Sequence, residues 1–334
     1  MIDKLFFSYS GNSLPLNPFY DREDMDIKRN RKISEPTHHL LGGVAVEVRH
    51  IDTDDHTRLA VSRIKPRGAD SLSIPVILVH GSYSTRNFWI SSKGVGLGGY
   101  LADHGFDVWI PELRGHGLSP KGDLFSKITA QDQIRYDLPA IQEAVYAQTG
   151  SAAFWIGHSF GGLFMIAALS TGWLNHDMVR GIITFGSQIS YGDGYLKIPP
   201  VAWTLSLLLK VLGNFPAPAF GLGPEKEAAG TMLETIRWKK FRGKWTDSDG
   251  GSYWDGLKKI KIPVLTYAAA KDKNDPPAGC RKIHKRLGSI DKMFMVLGKD
   301  NGFSKDYDHV GMVVSREAQE EVWPDIVGWL KDRI

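Results

Sequence analysis

FWIGHSFGGLF, residues 154 to 164, runs from an apolar β-like stretch through Gly157-His158-Ser159-Phe160-Gly161 into a helix-like stretch. That order has the form of a nucleophile elbow. A serine hydroxyl is a weak nucleophile unless it is held out of the fold beside a base, and a sharp strand-to-helix turn does the holding. The turn strains the backbone at Ser159, so the positions two residues away must be nearly free of side chain. Gly157 and Gly161 meet that need, and Gly162 lets the next helix approach the strand closely. The pattern alone arises by chance in roughly one in four chains of this composition, so its surroundings must carry the assignment.

Those surroundings alternate short apolar runs with helix-like stretches, the rhythm of a mostly parallel sheet with helices on both faces. Strand-like runs lie at residues 44–48, 59–64, 76–79, 106–110, 153–156, 182–185, 264–268 and 292–297. Helix-like stretches lie at residues 94–104, 129–148, 162–170, 278–287 and 316–331. The first two runs, joined by the polar turn at residues 52–56, suit an antiparallel hairpin at the sheet edge. After the sixth run the rhythm breaks for about 70 residues, too long for an ordinary crossover. The expected architecture is therefore an α/β fold, with an eight-stranded, mostly parallel sheet flanked by helices and a helical cap inserted after the sixth strand. It divides into an N-terminal arm (1–43), a first core segment (44–190), the cap (191–255) and a second core segment (256–334). Within the cap, residues 201–212 are apolar nearly all the way round, so this helix is expected to cover something.

Composition narrows the classes. The chain has 334 residues, 42% hydrophobic and 23% charged, enough to bury a large core. Its 41 basic and 37 acidic residues leave a net charge of +4. The charges are interspersed, with no long basic stripe and no zinc or RNA-binding motif, so nucleic acid is not an expected partner. The dense basic cluster at residues 28–32 reads as a solvated arm. Cys280 is the single cysteine, which rules out an intrachain disulfide. The short apolar run at residues 5–7, with Asp3 before it, does not make a secretory signal, and a cytoplasmic location is expected. No apolar run approaches the ~18 residues of a membrane span.

A serine nucleophile needs a base, an orienting acid and oxyanion donors, and in this topology the chain order runs Ser, Asp, His. After the seventh run, TYAAAKDKNDPPAG places Asp272 and Asp275 on a loop at a strand's carboxyl end. After the eighth, DNGFSKDYDHVGMV places His309 before the last helix. His309 suits the base, with its near-neutral pKa. Asp272 is the preferred acid because it follows the strand end by three residues. Asp275 is the reserve, since its place before Pro276-Pro277 fits turn chemistry. The third run ends in VHGSYS, where Gly81 lets the backbone turn so that the Ser82 N–H and the Phe160 N–H form an oxyanion hole, with Tyr83 as competing donor. Tyr83, Trp203, Leu207 and Phe215 are candidate substrate-binding residues.

Other conspicuous residues have plainer readings. His80 and His158 flank motifs and are expected to orient backbone. Arg114 and His116 read as loop braces. His38-His39 cannot readily share one ion, and no cluster has convincing metal spacing, so no metal or other cofactor is expected. The glycine-rich stretch at residues 94–99 carries no phosphate-loop lysine.

VHGS (79–82), DVWIPELRGHGLS (107–119), GHSFGG (157–162), the Asp272 loop and DHVGM (308–312) together resemble the α/β-hydrolase superfamily over residues 44–334. LADHGFDVWIPELRGHG is similar to the corresponding stretch of acid lipases and related esterases. Phe160 departs from the Gln or Met of many lipases, and the first 40 residues match no part of the pattern. The resemblance implies the α/β-hydrolase fold and a cofactor-free serine esterase or lipase. Such an enzyme acts on a small-molecule ester or lipid through Ser159, His309, Asp272 and an acyl-enzyme. The apolar cap favours apolar acyl groups and transient contact with a lipid surface. Acyl transfer, thioester or peptide hydrolysis, and ligand binding with little turnover stay open, as does the oligomeric state.

Overall fold

A computed structural model describes residues 32–67, 71–191 and 194–334. The arm up to residue 31, with most of the basic cluster and the run at residues 5–7, lies outside the described residues. The strands are β1 (Thr37–Leu41), β2 (Val44–Asp52), β3 (Arg58–Ile64), β4 (Pro75–Val79), β5 (Asp107–Glu112), β6 (Ala153–His158), β7 (Val179–Phe185), β8 (Asn214–Phe215), β9 (Glu227–Ala228), β10 (Val264–Ala269) and β11 (Lys292–Leu297). Among the described residues, nine of them form one sheet in the order β1-β2-β3-β5-β4-β6-β7-β10-β11, and β8 pairs with β9 in a separate ribbon. The strands from β5 to β11 run parallel, while β1, β2 and β3 are antiparallel to their neighbours.

All eight expected strands are present, and the ninth is a correction. β1 lies in the stretch assigned to the arm and displaces β2 from the sheet edge. It hairpins onto β2 through Gly42 and Gly43, whose φ values of 50° and 89° suit the tight two-residue turn. Four of its five residues are exposed, so it carries no apolar alternation that sequence could reveal.

The central strands β4, β5, β6 and β10 are buried at every position, as expected for parallel strands covered on both faces. Successive side chains serve opposite layers. Trp155, Ile182 and Val264 pack with α2 (Leu138–Thr149) and α3 (Phe160–Thr171). Phe154, Ile183 and Leu265 pack on the other face with α1 (Leu97–Asp103) and the C-terminal helix (Arg316–Lys331). Ten of the twelve residues of α3 are buried, so the helix that follows Ser159 runs through the interior.

Between β7 and β10 lie α4 (Pro199–Leu212), the β8-β9 ribbon and α5 (Ala229–Lys239). The apolar helix expected to cover something, α4, does so on one side only. Only Ala202 and Leu209 are buried, while Trp203 is 70% and Val211 76% exposed, beside exposed Leu207, Leu208 and Leu212. The helix needs one apolar side to sit on α5 and displays another to solvent.

One irregularity fixes the loop after β5. Residues Gln133–Asp137 form a π-helical turn leading into α2, where Pro139 has no N–H to offer the carbonyl of Arg135. Asp137 on this turn is fully buried and accepts from Arg114 Nε at 2.8 Å and from the Arg114 N–H at 2.9 Å. Asp55 takes the other side of the same guanidinium at 2.6 Å. A buried arginine with two carboxylates anchors the RGHG loop.

Candidate active site

Ser159 sits between β6 and α3 at φ 53° and ψ −122°, a conformation that costs a non-glycine residue about 1–3 kcal/mol. Its neighbours over-determine it. The Ser159 N–H donates to Phe185 O at 2.7 Å, and Ser187 Oγ donates to the Ser159 carbonyl at 2.8 Å. A Cβ at Gly157 would strike the Gly162 backbone, and one at Gly161 would strike the carbonyls of Val79 and His80. Phe160 opens α3, where first-turn N–H groups lack intrahelical partners and the dipole favours negative charge.

His309 and Asp272 meet at the same edge. His309 Nδ1 lies 2.5 Å from Asp272 Oδ2, and the ring rests over Gly186, next to the carbonyl that anchors Ser159. The N–H groups of Asn274 and Asp275 donate to Asp272 Oδ1 at 3.1 and 2.8 Å. Asp272, rather than Asp275, is therefore the carboxylate on Nδ1. Burial opposes charge on Asp272, but the His309 hydrogen bond and those backbone donors hold its carboxyl below the usual value. For His309, burial disfavours the cation, yet its bond to Asp272 and the charge of Asp275 hold the imidazole above its usual 6.5. Asp275 Oδ2 stands 3.8 Å from the opposite nitrogen, Nε2, while its Oδ1 accepts from Gln188 Nε2 at 2.6 Å.

Ligand atoms of Asp272, Asp275 and His309 all fall within 4.8 Å of one another. The two carboxylates address different ring nitrogens, so the three groups pair among themselves rather than converge on one ion. This geometry suits proton handling better than metal binding.

His158 and His80 hold backbone. His158 Nε2 lies 2.8 Å from the His309 carbonyl, and its ring stacks on Phe88. Burial, with His309 nearby, pushes the His158 pKa well down and keeps it neutral. His80 accepts from the Leu113 N–H at Nε2 and bonds the Gly81 carbonyl through Nδ1, which fixes its tautomer. Burial and the neighbouring His116 lower its pKa to about 3.

In the loop after β4, the Tyr83 N–H points at Glu227 Oε2 at 3.4 Å and is therefore engaged. Among the described residues, the N–H groups of Ser82 and Phe160 have no hydrogen-bond partner. The Tyr83 ring packs on Phe215 at 5.5 Å, Phe215 stacks on Phe220, and the Tyr83 hydroxyl reaches Met232 Sδ at 3.5 Å. Trp203 and Leu207 are not brought to this cluster. Both are at least half exposed on α4, and Trp203 lines a groove of about 450 Å³ with Leu233 and Phe241 that contains neither Ser159 nor His309.

Sequence reasoning missed Glu227 and Gln188. Glu227 is isolated in a polar stretch, GPEKEAAG, and Gln188 in a turn, so neither carries a motif.

The family model for the alpha/beta hydrolase family matches residues 76–324. Triacylglycerol lipase 1 of Arabidopsis thaliana is 36% identical over 129 residues, covering 36% of this chain and 33% of that protein. Lipase member M of Homo sapiens is 35% identical over 161 residues, covering 44% and 37% respectively. The chain thus spans about a third of the length of these relatives. Among solved structures, the Paleococcus ferrophilus monoacylglycerol lipase superposes with a TM-score of 0.57 at 20% identity, covering 83% of this chain and 99% of that one. A soluble variant of monoglyceride lipase from Saccharomyces cerevisiae gives a TM-score of 0.61 at 16% identity, covering 91% and 97%. Sheet order, elbow and sequence match agree, and the chain belongs to the alpha/beta hydrolase family.

Proposed function

We propose that this chain is a cofactor-free carboxylic ester hydrolase acting through Ser159, His309 and Asp272. The observation that carries the reading is a strained serine anchored to Phe185, one residue before the Gly186 over which rests an imidazole whose Nδ1 is tied to a buried carboxylate. His309 Nε2 takes the hydroxyl proton as Ser159 attacks the acyl carbonyl, and the proton then passes to the leaving alcohol. The Ser82 and Phe160 N–H groups hold the oxyanion, and water, activated by the same imidazole, releases the acyl-enzyme. The lipase relatives and the Tyr83–Phe215–Phe220 cluster support an apolar acyl group.

A series of p-nitrophenyl esters from short to long acyl chains tests this reading. Hydrolysis with a clear chain-length optimum is expected. A flat profile would remove the apolar acyl site, and no rate on any ester, with Ser159 unlabelled by a fluorophosphonate, would remove the esterase.

The exposed side of α4 supports a lipid-surface contact. Among the described residues no helix is long and apolar enough to cross a membrane, whereas Trp203, Leu207, Val211 and Leu212 form an apolar strip. In flotation with phosphatidylcholine vesicles, the Trp203→Glu/Val211→Glu double variant is expected to lose binding that the wild type shows. Equal flotation of both proteins would refute the contact.

A further inference from the structure

Tyr83 has φ 60°, a left-handed conformation that an aromatic residue keeps only when its surroundings enforce it. The enforcement comes from the cap. The Glu225 N–H donates to the Tyr83 carbonyl at 3.0 Å, and the Tyr83 N–H donates to Glu227 Oε2 at 3.4 Å. A Cβ on Gly223 would collide with the Tyr83 backbone, so residues 223–228 lie flat against this peptide. The Tyr83 N–H shares its peptide plane with the Ser82 carbonyl, so fixing it fixes that carbonyl and restrains the backbone of Ser82, whose N–H lies in the preceding peptide.

Glu227 is 2% exposed, and a carboxylate so placed needs a counter-charge. His116 supplies it from the RGHG loop, with Nε2 3.3 Å from Glu227 Oε2 and Nδ1 3.2 Å from the Arg114 carbonyl. Both ring nitrogens thus face acceptors, the arrangement of a doubly protonated imidazolium.

We infer that Glu227 and His116 are positioning residues for the oxyanion hole, a buried ion pair through which the cap sets the Ser82–Tyr83 loop. The inference rests on the esterase reading above. Its charge balance has a direction. Paired, the two groups are neutral together; if His116 loses its proton, an uncompensated carboxylate stands beside the place where negative charge develops, and the transition state is disfavoured. Burial opposes the His116 cation, but Glu227, the Arg114 carbonyl and Glu225 hold its pKa above 6.5. From the β4 side it faces His80, ring to ring at 5.0 Å, which stays neutral. From its own loop, the Arg114 guanidinium is engaged by Asp55 and Asp137, and Glu112 accepts from the N–H groups of Arg86 and Leu118.

The test compares wild type, Glu227→Ala and Glu227→Gln on one p-nitrophenyl ester, with thermal melts and pH profiles. Glu227→Ala is expected to lower kcat about 10- to 100-fold, the scale of a misplaced catalytic group, with KM within about twofold. Wild-type kcat is expected to fall at alkaline pH as His116 deprotonates. Glu227→Gln keeps an acceptor for Tyr83 but not the charge, so this alkaline fall should vanish and the kcat loss should be smaller than for Ala. If Glu227→Ala fails to fold, the Gln profile alone decides. A kcat within twofold of wild type, a change in KM alone, or an unaltered alkaline limb in Glu227→Gln would overturn the pair's role. A readout without turnover separates this from failure of the esterase reading. The Tyr83 amide should exchange with solvent faster in Glu227→Ala, which removes its acceptor, and exchange equal to wild type there would refute the inference even if no ester is hydrolysed.

Discussion

Ser159→Ala is expected to lower kcat on esters about 10⁵- to 10⁶-fold, the loss typical when an activated serine is removed and only binding and oxyanion donors remain. The fold should survive, because the bonds at this position are made by backbone: the Ser159 N–H to Phe185 and its carbonyl to Ser187. The melting temperature of Ser159→Ala should therefore match wild type, since alanine endures the same positive φ. Ser159→Gly should be equally inactive yet more stable by about 1 kcal/mol, through release of the left-handed strain. Turnover by Ser159→Ala within tenfold of wild type would end the assignment of the nucleophile. Equal melting of the glycine variant would show that the elbow stores no strain.

Asp272→Asn carries the second large effect, a fall in kcat of about 10⁴-fold, by forcing the wrong tautomer. The direction follows from the partners. Oδ1 accepts two backbone N–H groups, so an asparagine must turn its carbonyl there and its amide NH₂ toward His309. Nδ1 then becomes an acceptor, Nε2 carries the proton, and the imidazole cannot accept from Ser159. The pH profile adds a second signature. A base must be neutral to work, and His309 is held above 6.5, so wild-type kcat/KM should fall as pH drops through that raised value. With the carboxylate gone, the acid limb of the residual activity should move to lower pH. An unmoved limb would mean that Asp272 does not set the ionisation of His309.

The sheet, the elbow at Ser159 and the pairing of His309 with Asp272 are legible because each rests on a local rule. Buried parallel strands are continuous apolar runs, the elbow demands glycines, and strand ends in this fold present their loops at one edge. The unreadable parts lack such rules. The strand Thr37–Leu41 is exposed on nearly every residue, and sequence cannot distinguish it from an arm. Residues 201–212 are apolar nearly all round and read as a helix that covers something, yet nothing in their order shows that one side finds α5 and the other stays exposed. The preference for Asp272 over Asp275 rested on distance from a strand end, while the structure separates them by which imidazole nitrogen each faces. Glu227 lies 144 residues from the amide it receives, and only the folded cap makes them neighbours.

The interior course of the helix after Ser159 also bears on how this molecule comes apart. An element packed on nearly all sides cannot open alone, so its amides exchange only when the whole core does, whereas exposed segments such as the outer strand fray at little cost. Ser159, the proposed nucleophile, is thus built onto a cooperative part of the core. Its geometry should persist through the small fluctuations that disturb the rim and disappear in a single step with global unfolding.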